Sequence, residues 1–219
     1  YSFNFQWLSC PIIQYPQDIV AFQEIVWDVK PDLIIETGIA RGGSMVLSAS
    51  MLTLIDYCES LESGLLIDPR NPQRKVVGVD IDIRQHNRDA LDSHPLRNRM
   101  VLIEGSSIER DIFNQVKNHA ANKDCILVSL DSNHTHNHVL EELNTYAQLV
   151  TPGSYCIVFD TVIEDLPEEL SSDRPWGKGN SPRSAVKEFL STNDHFDIDE
   201  NIEDQLMITV APGGYLRRK

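Results

Sequence analysis

Residues 33–44, with the sequence LIIETGIARGGS, constrain the fold of this chain most strongly. An apolar, β-branched run leads into an acidic residue, Glu36, and a glycine-rich turn follows it. The next residues, 44–57, have the composition of a helix. A buried strand, a tight turn and a helix start form the arrangement with which α/β folds hold nucleotide-like ligands.

The spacing of the glycines separates this turn from the usual dinucleotide fingerprint. Gly38, Gly42 and Gly43 follow Glu36, and they do not form G-x-G-x-x-G. That fingerprint brings backbone N–H groups against a phosphate, whereas an acidic side chain facing the turn suits a cationic ligand. S-adenosylmethionine (SAM), with its ammonium and sulfonium groups, is such a ligand. The alternative interpretation is a structural corner whose glycines serve packing.

Bulk properties exclude several classes of protein. With 219 residues the chain is long enough for one α/β domain with a sizeable core. A net charge of −14 argues against binding to nucleic acid or to an anionic membrane. No apolar run reaches about 18 residues, so no membrane span is expected. The cysteines form no C-x-x-C pair, which disfavours zinc and redox motifs and fits a reducing cytoplasm; they are Cys10, Cys58, Cys125 and Cys156.

Strand-like and helix-like segments alternate along the chain. The sequence predicts strands at 33–36, 76–81, 100–103, 125–130, 155–159, 196–200 and 205–210. It predicts helices at 18–29, 43–57, 87–92, 108–119, 136–149 and 182–190, with 164–181 irregular. This order predicts a Rossmann-like α/β fold. Its sheet has seven mostly parallel strands, an antiparallel C-terminal hairpin and helices on both faces.

Ligands of such sheets bind beyond the carboxyl ends of the strands, so the residues at those ends are the candidates. The second strand ends at Asp80 and Asp82, and the closer one, Asp80, is favoured as acceptor for ribose hydroxyls. A solvated turn aspartate is the alternative. The third strand leads to Ser106 and Ser107, whose hydroxyls could hold an adenine edge. Ser107 also suits a helix N-cap.

Asp131 and Asp160 follow the fourth and fifth strands, so they are expected to project into one crevice. Two close carboxylates repel each other unless a cation or a proton lies between them, and oxygen ligands suit Mg²⁺. Such a metal can lower the pKa of a bound substrate hydroxyl, and His134 could take the proton. Alternatively, His134, His136 and Asp131 could form a 2-His-1-carboxylate site for iron.

Three segments together resemble a known family: residues 36–44 (ETGIARGGS), residues 131–136 (DSNHTH) and the pair Asp160-Thr161. They look like the family historically labelled cephalosporin hydroxylase, which also includes rhamnosyl O-methyltransferases. The resemblance extends over almost the whole chain through residues 10–14 (CPIIQ), 16–20 (PQDIV), 176–180 (WGKGN), 208–212 (ITVAP) and 214–216 (GYL).

The resemblance implies a class I SAM-dependent methyltransferase fold, Mg²⁺-assisted O-methylation and often a hexameric assembly. It places Glu36, Gly38, Gly42, Gly43 and Ser44 along the methionine end of SAM. It places Asp80 on the ribose and Ser106 or Ser107 on the adenine. Asp131 and Asp160 match metal positions, with Asp131 also bordering the cofactor, and Thr161 stands where catechol-type enzymes carry Asn. His134 matches the place of the lysine base in those enzymes.

One residue departs from the family pattern. Phe159 stands where members often carry a glutamate, so one metal ligand is missing, and Glu164 or Asp165 is a candidate substitute. We predict a single domain overall, in which an N-terminal helical cap segment, 1–30, precedes the SAM-binding methyltransferase part, 31–219.

The prediction is therefore a SAM-dependent O-methyltransferase for a small-molecule or glycan hydroxyl. We expect it to be cytoplasmic and homo-oligomeric, with residues 164–181 as a lid. The competing hypotheses are a non-haem iron or zinc hydroxylase or hydrolase, and a SAM-binding assembly module without catalysis, which Phe159 favours.

Overall fold

The computed structural model describes residues 4–219, and its main feature is a twisted seven-stranded sheet. Its strands are β3 (Leu33–Thr37), β4 (Lys75–Asp80), β5 (Met100–Glu104), β6 (Ile126–Leu130), β7 (Tyr155–Val158), β8 (Phe196–Ile198) and β9 (Tyr215–Arg218). Two short strands before them, β1 (Phe5–Trp7) and β2 (Cys10–Ile12), form a separate antiparallel pair. The helices are α1 (Pro16–Val29), α2 (Gly43–Ser63), α3 (Gln85–Asp92), α4 (Arg110–Ala120), α5 (His136–Tyr146), α6 (Pro182–Thr192) and α7 (Glu200–Leu206).

The strand order is β5-β4-β3-β6-β7-β9-β8, which confirms the predicted architecture. Strands β3 to β7 pair in parallel, and β9 pairs antiparallel with both β7 and β8. The chain moves outward from β3 to β5 and then returns to β6 on the other side of β3. The order therefore reverses between β3 and β6, and a ligand crevice is expected at that switch point.

Alternate residues of the sheet strands face two separate cores. In β3, Ile34 packs with α1 and α2 on one face, while Leu33 and Ile35 pack with α4, α5 and α6 on the other. The near-continuous apolar runs of the central strands follow from this double burial. The prediction of helices on both faces is confirmed.

The prediction for the C-terminal region was wrong in one element. Residues 205–210 form no strand; α7 ends there, and the last strand is β9. The side chain of Asp199 accepts a hydrogen bond from the backbone N–H of Asn201 and so starts a helix after β8. The apolar pair Met207 and Ile208, which suggested a strand, is 88% and 62% exposed.

The N-terminal segment packs on α2 and contains more than the predicted helix. Residues of β1 and β2 share a core with α1 and α2. The first three residues of the predicted cap lie outside the described part of the chain, and the division at residue 30 stays a prediction. No helix among residues 4–219 is both long and apolar enough to cross a membrane.

Candidate active site

Glu36 lies one residue before the end of β3 and is a buried carboxylate with one unpaired oxygen. Its Oε1 accepts a hydrogen bond from the Ser48 hydroxyl, and its Oε2 has no hydrogen-bond partner. Burial raises the pKa of Glu36 to about 7, although the Ser48 and Ser44 hydroxyls act to lower it. A buried carboxylate with an unpaired oxygen fits a ligand that brings a cationic N–H donor.

The glycines of the turn allow close packing. Gly38 has φ +91°, and a Cβ there would lie 2.1 Å from the carbonyl oxygen of Asp131. Gly42 lies against Leu91, and Gly43 lies against the backbone of β2. Packing therefore explains Gly42 and Gly43 without a ligand, and their contact with SAM stays a prediction.

We expect Gly38→Ala to destabilise the fold. The left-handed backbone costs about 1–3 kcal/mol for a residue with Cβ, and the contact with Asp131 adds to this cost. Gly153→Ala is the matched control, because Gly153 has φ +85° with nothing within 4 Å of its Cβ position. Urea unfolding of both variants should show the larger loss at position 38. Equal losses would contradict a steric role for Gly38.

A cavity of about 100 Å³ lies at the ends of β4 and β5 and includes Asp80, Ser106 and Ser107. Asp80 Oδ2 accepts hydrogen bonds from the backbone N–H groups of Ile39 (2.8 Å) and Ala40 (2.9 Å), so this carboxylate holds the Gly38 turn in place. Its Oδ1 accepts a hydrogen bond from the backbone N–H of Asp82 (3.1 Å) and keeps a lone pair for a ligand. Ser107 is not an N-cap, because α4 begins with Glu109 in that position.

The structure brings Asp131, His134 and Asp160 together at the ends of β6 and β7. One ligand atom from each lies within 4.8 Å of the others. Nδ1 of His134 is 3.3 Å from Oδ2 of Asp160. Asp160 has φ +55°, an uncommon backbone conformation for a residue with Cβ, and such outliers cluster at functional sites. Gln14 donates from Nε2 to Oδ2 of Asp131 at 3.2 Å.

Burial shifts the pKa of each of the three groups in this cluster in the direction that favours the neutral form. Burial raises the pKa of Asp131 well above its usual range, and the negative charges of Asp160, Glu36 and Glu142 raise it further. Burial also raises the pKa of Asp160, while His134 acts against that rise. Burial lowers the pKa of His134, which favours the neutral imidazole. Two carboxylates and one imidazole in this state fit a divalent cation.

Several predicted ligands lie elsewhere. Thr161 donates its hydroxyl to the carbonyl of Pro212 and does not line the cavity that Asp131 and Asp160 line. The two residues proposed to replace the missing glutamate ligand have other partners. Glu164 accepts hydrogen bonds from the backbone N–H of Gly179 and from the Ser181 hydroxyl, and Asp165 forms an ion pair with Arg183. Neither belongs to the ligand cluster of the described chain.

The 2-His-1-carboxylate hypothesis for iron was wrong in its residues. His136 Nδ1 lies 2.8 Å from Oγ of Ser184, and its Nε2 lies 3.1 Å from Oε2 of Glu188. Both partners are on α6, so His136 turns away from Asp131. His134 precedes α5, and His138 lies in the first turn of that helix.

The cluster opens into a cavity of about 540 Å³. The irregular segment supplies one wall, and the Trp176 ring lies 5.0 Å from the His134 ring between centroids. The Arg174 guanidinium lies 5.4 Å from the Trp176 ring centroid. Sequence reasoning assigned no role to Trp176 or Gln14, although both lie in the segments that carry the family resemblance. Gly38 and Ser132 line this cavity and the 100 Å³ cavity, so the two adjoin.

Comparisons with known proteins identify the family of this chain. The sequence model of the Rhamnosyl O-methyltransferase/CmcI family matches residues 1–219. The rhamnosyl O-methyltransferase of Mycobacterium bovis (strain BCG / Pasteur 1173P2) is 32% identical over an alignment of 209 residues, and the match covers 92% of this chain and 73% of that protein.

Two solved structures share the fold. The structure described as "cmcI-D160 Mg-SAM" has a TM-score of 0.62 at 16% identity and covers 99% of this chain and 77% of that one. The MycE methyltransferase in complex with Mg and S-adenosylhomocysteine (SAH) has a TM-score of 0.51 at 16% identity, over 85% of this chain and 41% of that one. The fold is that of the class I SAM-dependent methyltransferases, and this chain belongs to the rhamnosyl O-methyltransferase/CmcI family.

Proposed function

We propose that this chain is a SAM-dependent, Mg²⁺-assisted O-methyltransferase that acts on a hydroxyl of a sugar or another small molecule. The observation that carries the proposal is the convergence of Asp131, Asp160 and His134 on a cavity beside the Gly38 turn. Family membership and the rhamnosyl O-methyltransferase relative support it, as do the magnesium and SAM of the similar CmcI structure.

The two adjoining cavities hold most of the cofactor. Glu36 lines a small pocket that shares Gln14 and Ser44 with the 540 Å³ cavity, and there it pairs with the ammonium group of SAM. The turn residues Gly38, Gly42, Gly43 and Ser44 border the methionine end. Asp80 receives the ribose hydroxyls through Oδ1, and Ser106 and Ser107 border the adenine. Bound SAM supplies the electrophilic methyl group.

Asp131 and Asp160 would hold the metal, whereas the Thr161 hydroxyl is bound to the carbonyl of Pro212 and would not be a ligand. Mg²⁺ in this place supplies a positive charge that lowers the pKa of the acceptor hydroxyl. Nδ1–H of His134 donates to Asp160, which leaves Nε2 free to accept the hydroxyl proton. Gln14 holds the Asp131 carboxylate in position from the N-terminal segment.

The irregular segment 164–181 forms the wall that limits water access. Leu166, Leu170 and Trp176 line the cavity from this side. Asp165 of this segment forms an ion pair with Arg183 of α6. Within the segment, the backbone N–H of Gly179 donates a hydrogen bond to Glu164. We propose that it acts as a lid, which would hold the two reactants together in a dry site.

SAM binding should strengthen as the pH rises through about 7. The pKa of Glu36 is about 7, so its carboxyl is neutral below this pH and charged above it. Only the charged form attracts the ammonium group, so the dissociation constant should rise by up to about tenfold for each pH unit below 7. Calorimetry with SAH between pH 5.5 and 8 measures this dependence. Glu36→Gln should bind more weakly and with a flat pH profile; a flat profile in the wild type would contradict the assignment.

The proposed activity is tested directly by incubation with SAM, Mg²⁺ and a panel of hydroxylated acceptors that includes rhamnosides, other glycosides and catechols. Release of SAH, together with a methyl group added to the acceptor in its mass spectrum, is the expected result. Oxidation of an acceptor that needs iron and 2-oxoglutarate but not SAM would favour the hydroxylase hypothesis. SAM binding without methyl transfer to any acceptor would favour the assembly module.

We also propose that the chain forms a cytoplasmic homo-oligomer, with the hexamer that the family resemblance implies as the expected state. Exposed apolar side chains along the second half of α2 and the segment after it support an assembly: Leu54, Tyr57, Leu61, Leu65 and Leu66. Light scattering on the purified protein measures the state, and a monomer at micromolar concentration would overturn this part of the proposal.

A further inference from the structure

A groove of about 660 Å³ adjoins the 540 Å³ cavity that contains the metal cluster. The residues that line both are Pro11, Ile13, Ala40 and Arg41. From there the groove continues to the start of α3 and to the end of β4, where it is lined by Arg84, His86, Asn87, Asp80, Ile81 and Asp82. A molecule bound at the metal cluster can therefore extend past Arg41 into this groove.

Two arginines of the groove have no partner in the protein. Within residues 4–219, four arginine side chains form no ion pair, hydrogen bond or ring contact: Arg41, Arg70, Arg84 and Arg110. Two of these, Arg41 and Arg84, line the groove, and the His86 imidazole beside them has no partner either. The chain has 33 acidic and 19 basic residues, so carboxylate partners are abundant. Both guanidinium groups therefore remain available to a ligand.

The groove also contains two carboxylates, Asp80 and Asp82, and neither forms an ion pair with Arg41 or Arg84. Asp80 accepts hydrogen bonds from three backbone N–H groups, which belong to Ile39, Ala40 and Asp82. The unpaired side chains of the groove are therefore two guanidinium groups and one imidazole against the single carboxylate of Asp82. This excess of N–H donors fits an anionic ligand.

The backbone next to Arg41 is held in an uncommon conformation. Ala40 has φ +47°, although it carries a Cβ. Its N–H donates to Oδ2 of Asp80 at 2.9 Å, and its carbonyl accepts from Nδ2 of Asn87 at 2.8 Å. Such strained residues persist only where the surrounding structure holds them, and they cluster at ligand sites. These contacts fix the turn that carries Arg41 between the groove and the metal cavity.

The carboxylate of SAM is not the expected occupant of this groove. In the proposed function the methionine end of SAM lies beside Glu36, and the small Glu36 pocket shares no lining residue with the groove. The groove does share Arg41 with the cavity in which the acceptor hydroxyl meets the metal cluster. A guanidinium group binds a carboxylate or a phosphoryl group through paired N–H donors.

We propose that this groove binds an anionic group of the methyl acceptor, a carboxylate or a phosphoryl group, at a distance from the hydroxyl that is methylated. Arg41 and Arg84 are then specificity-determining residues. The inference rests on the proposed function, since it requires the acceptor at the metal cluster. It narrows the acceptor class to acidic saccharides and other hydroxyl compounds that carry a negative charge.

The test is calorimetry on protein saturated with SAH and Mg²⁺, with two matched pairs of probes. The first pair is p-nitrophenyl β-D-glucuronide and p-nitrophenyl β-D-glucoside, which differ by a carboxylate. The second pair is glucose 6-phosphate and glucose, which differ by a phosphoryl group. The wild type should bind the anionic member of at least one pair about tenfold more tightly or better. The pair that shows the preference distinguishes a carboxylate ligand from a phosphoryl ligand.

Arg41→Gln and Arg84→Gln should each lose most of this preference, while their affinity for the neutral probe stays unchanged. Both side chains are exposed, so the substitutions should leave the fold intact. Arg70→Gln is the matched control, because Arg70 is also exposed and unpaired but does not line the groove. It should keep the wild-type preference. High salt should reduce the preference in the wild type, since an exposed charge pair is screened.

Three results would overturn the inference, and they separate it from the proposed function. If SAH itself does not bind, both fail. If SAH binds but neither anionic probe binds more tightly than its neutral partner, only the inference fails. If Arg41→Gln weakens SAH binding and leaves the preference between probes intact, the guanidinium serves the cofactor, and again only the inference fails.

Discussion

His134→Ala should lower the turnover number by about 10²–10⁴-fold, the usual loss when a general base is removed. The imidazole is oriented for this role, because its Nδ1 lies 3.3 Å from Oδ2 of Asp160. Burial lowers the pKa of His134, which favours the neutral imidazole that a general base needs. Trp176 packs against the ring and restricts its orientation. The measurement is SAH release at saturating SAM and Mg²⁺, with an acceptor identified in the panel.

The control for this variant is His136→Ala, two residues along the same turn. His136 contacts Ser184 and Glu188 on α6, so its loss should leave turnover near the wild-type value. SAM affinity should stay unchanged in both variants. If His134→Ala keeps turnover within about threefold of wild type, the base lies elsewhere and metal activation of the hydroxyl becomes the better explanation.

The strand-end residues could be predicted from sequence because parallel sheets have a simple pattern. Apolar runs lead directly into Glu36, Asp131 and Asp160, and parallel strands present their carboxyl ends at one edge of the sheet. The meeting of Asp131 and Asp160 in one cluster follows from β6 and β7 being neighbours. Predicting that Asp131 and Asp160 meet therefore required only the order of the strands in the sheet.

The directions of the three histidines could not be predicted in the same way. His134, His136 and His138 alternate along the sequence, but they contact Asp160, Glu188 and Ser107 respectively. The direction of each histidine side chain depends on the residue at which α5 begins. Local sequence specifies the boundary of a helix poorly. For this reason His136 was a wrong candidate for the metal set, and the contacts of His138 were missed.

The C-terminal error has a different origin. The run from Leu206 to Ile208 is apolar, and burial was inferred from composition alone. In the structure this run follows α7 and Met207 is largely exposed, so hydrophobicity there does not indicate a strand. The roles of Gln14 and Trp176 depend on contacts across long sequence separations, which no local pattern specifies.

Removal of the metal should abolish most activity while SAM binding survives. EDTA should lower turnover by about 10²-fold or more, since the metal supplies several kcal/mol of charge stabilisation in enzymes of this type, and added Mg²⁺ should restore it. Asp131→Asn and Asp160→Asn should each weaken Mg²⁺ binding by about tenfold or more, because affinity depends on the number of charged ligands. Calorimetry with Mg²⁺ on the SAH-bound protein measures this directly. Asp165→Asn is the control, since Asp165 pairs with Arg183 outside the cluster.

The same carboxylates should oppose folding when no cation is present. Burial and neighbouring negative charges raise the pKa of Asp131 in the folded protein above that in the unfolded chain. The native state therefore loses stability as the pH rises from the unfolded-state pKa to the folded-state pKa, and the loss is complete above the latter. In EDTA at pH 8, Asp131→Asn should therefore melt at a higher temperature than the wild type. The difference between the two melting temperatures should decrease as the pH falls, because the wild-type carboxyl of Asp131 then takes up a proton. With Mg²⁺ present the order should reverse, since only the wild type gains the full stabilisation of the bound cation. A wild type that keeps full activity in EDTA and melts above Asp131→Asn without metal would show that Asp131 and Asp160 do not form a cation site.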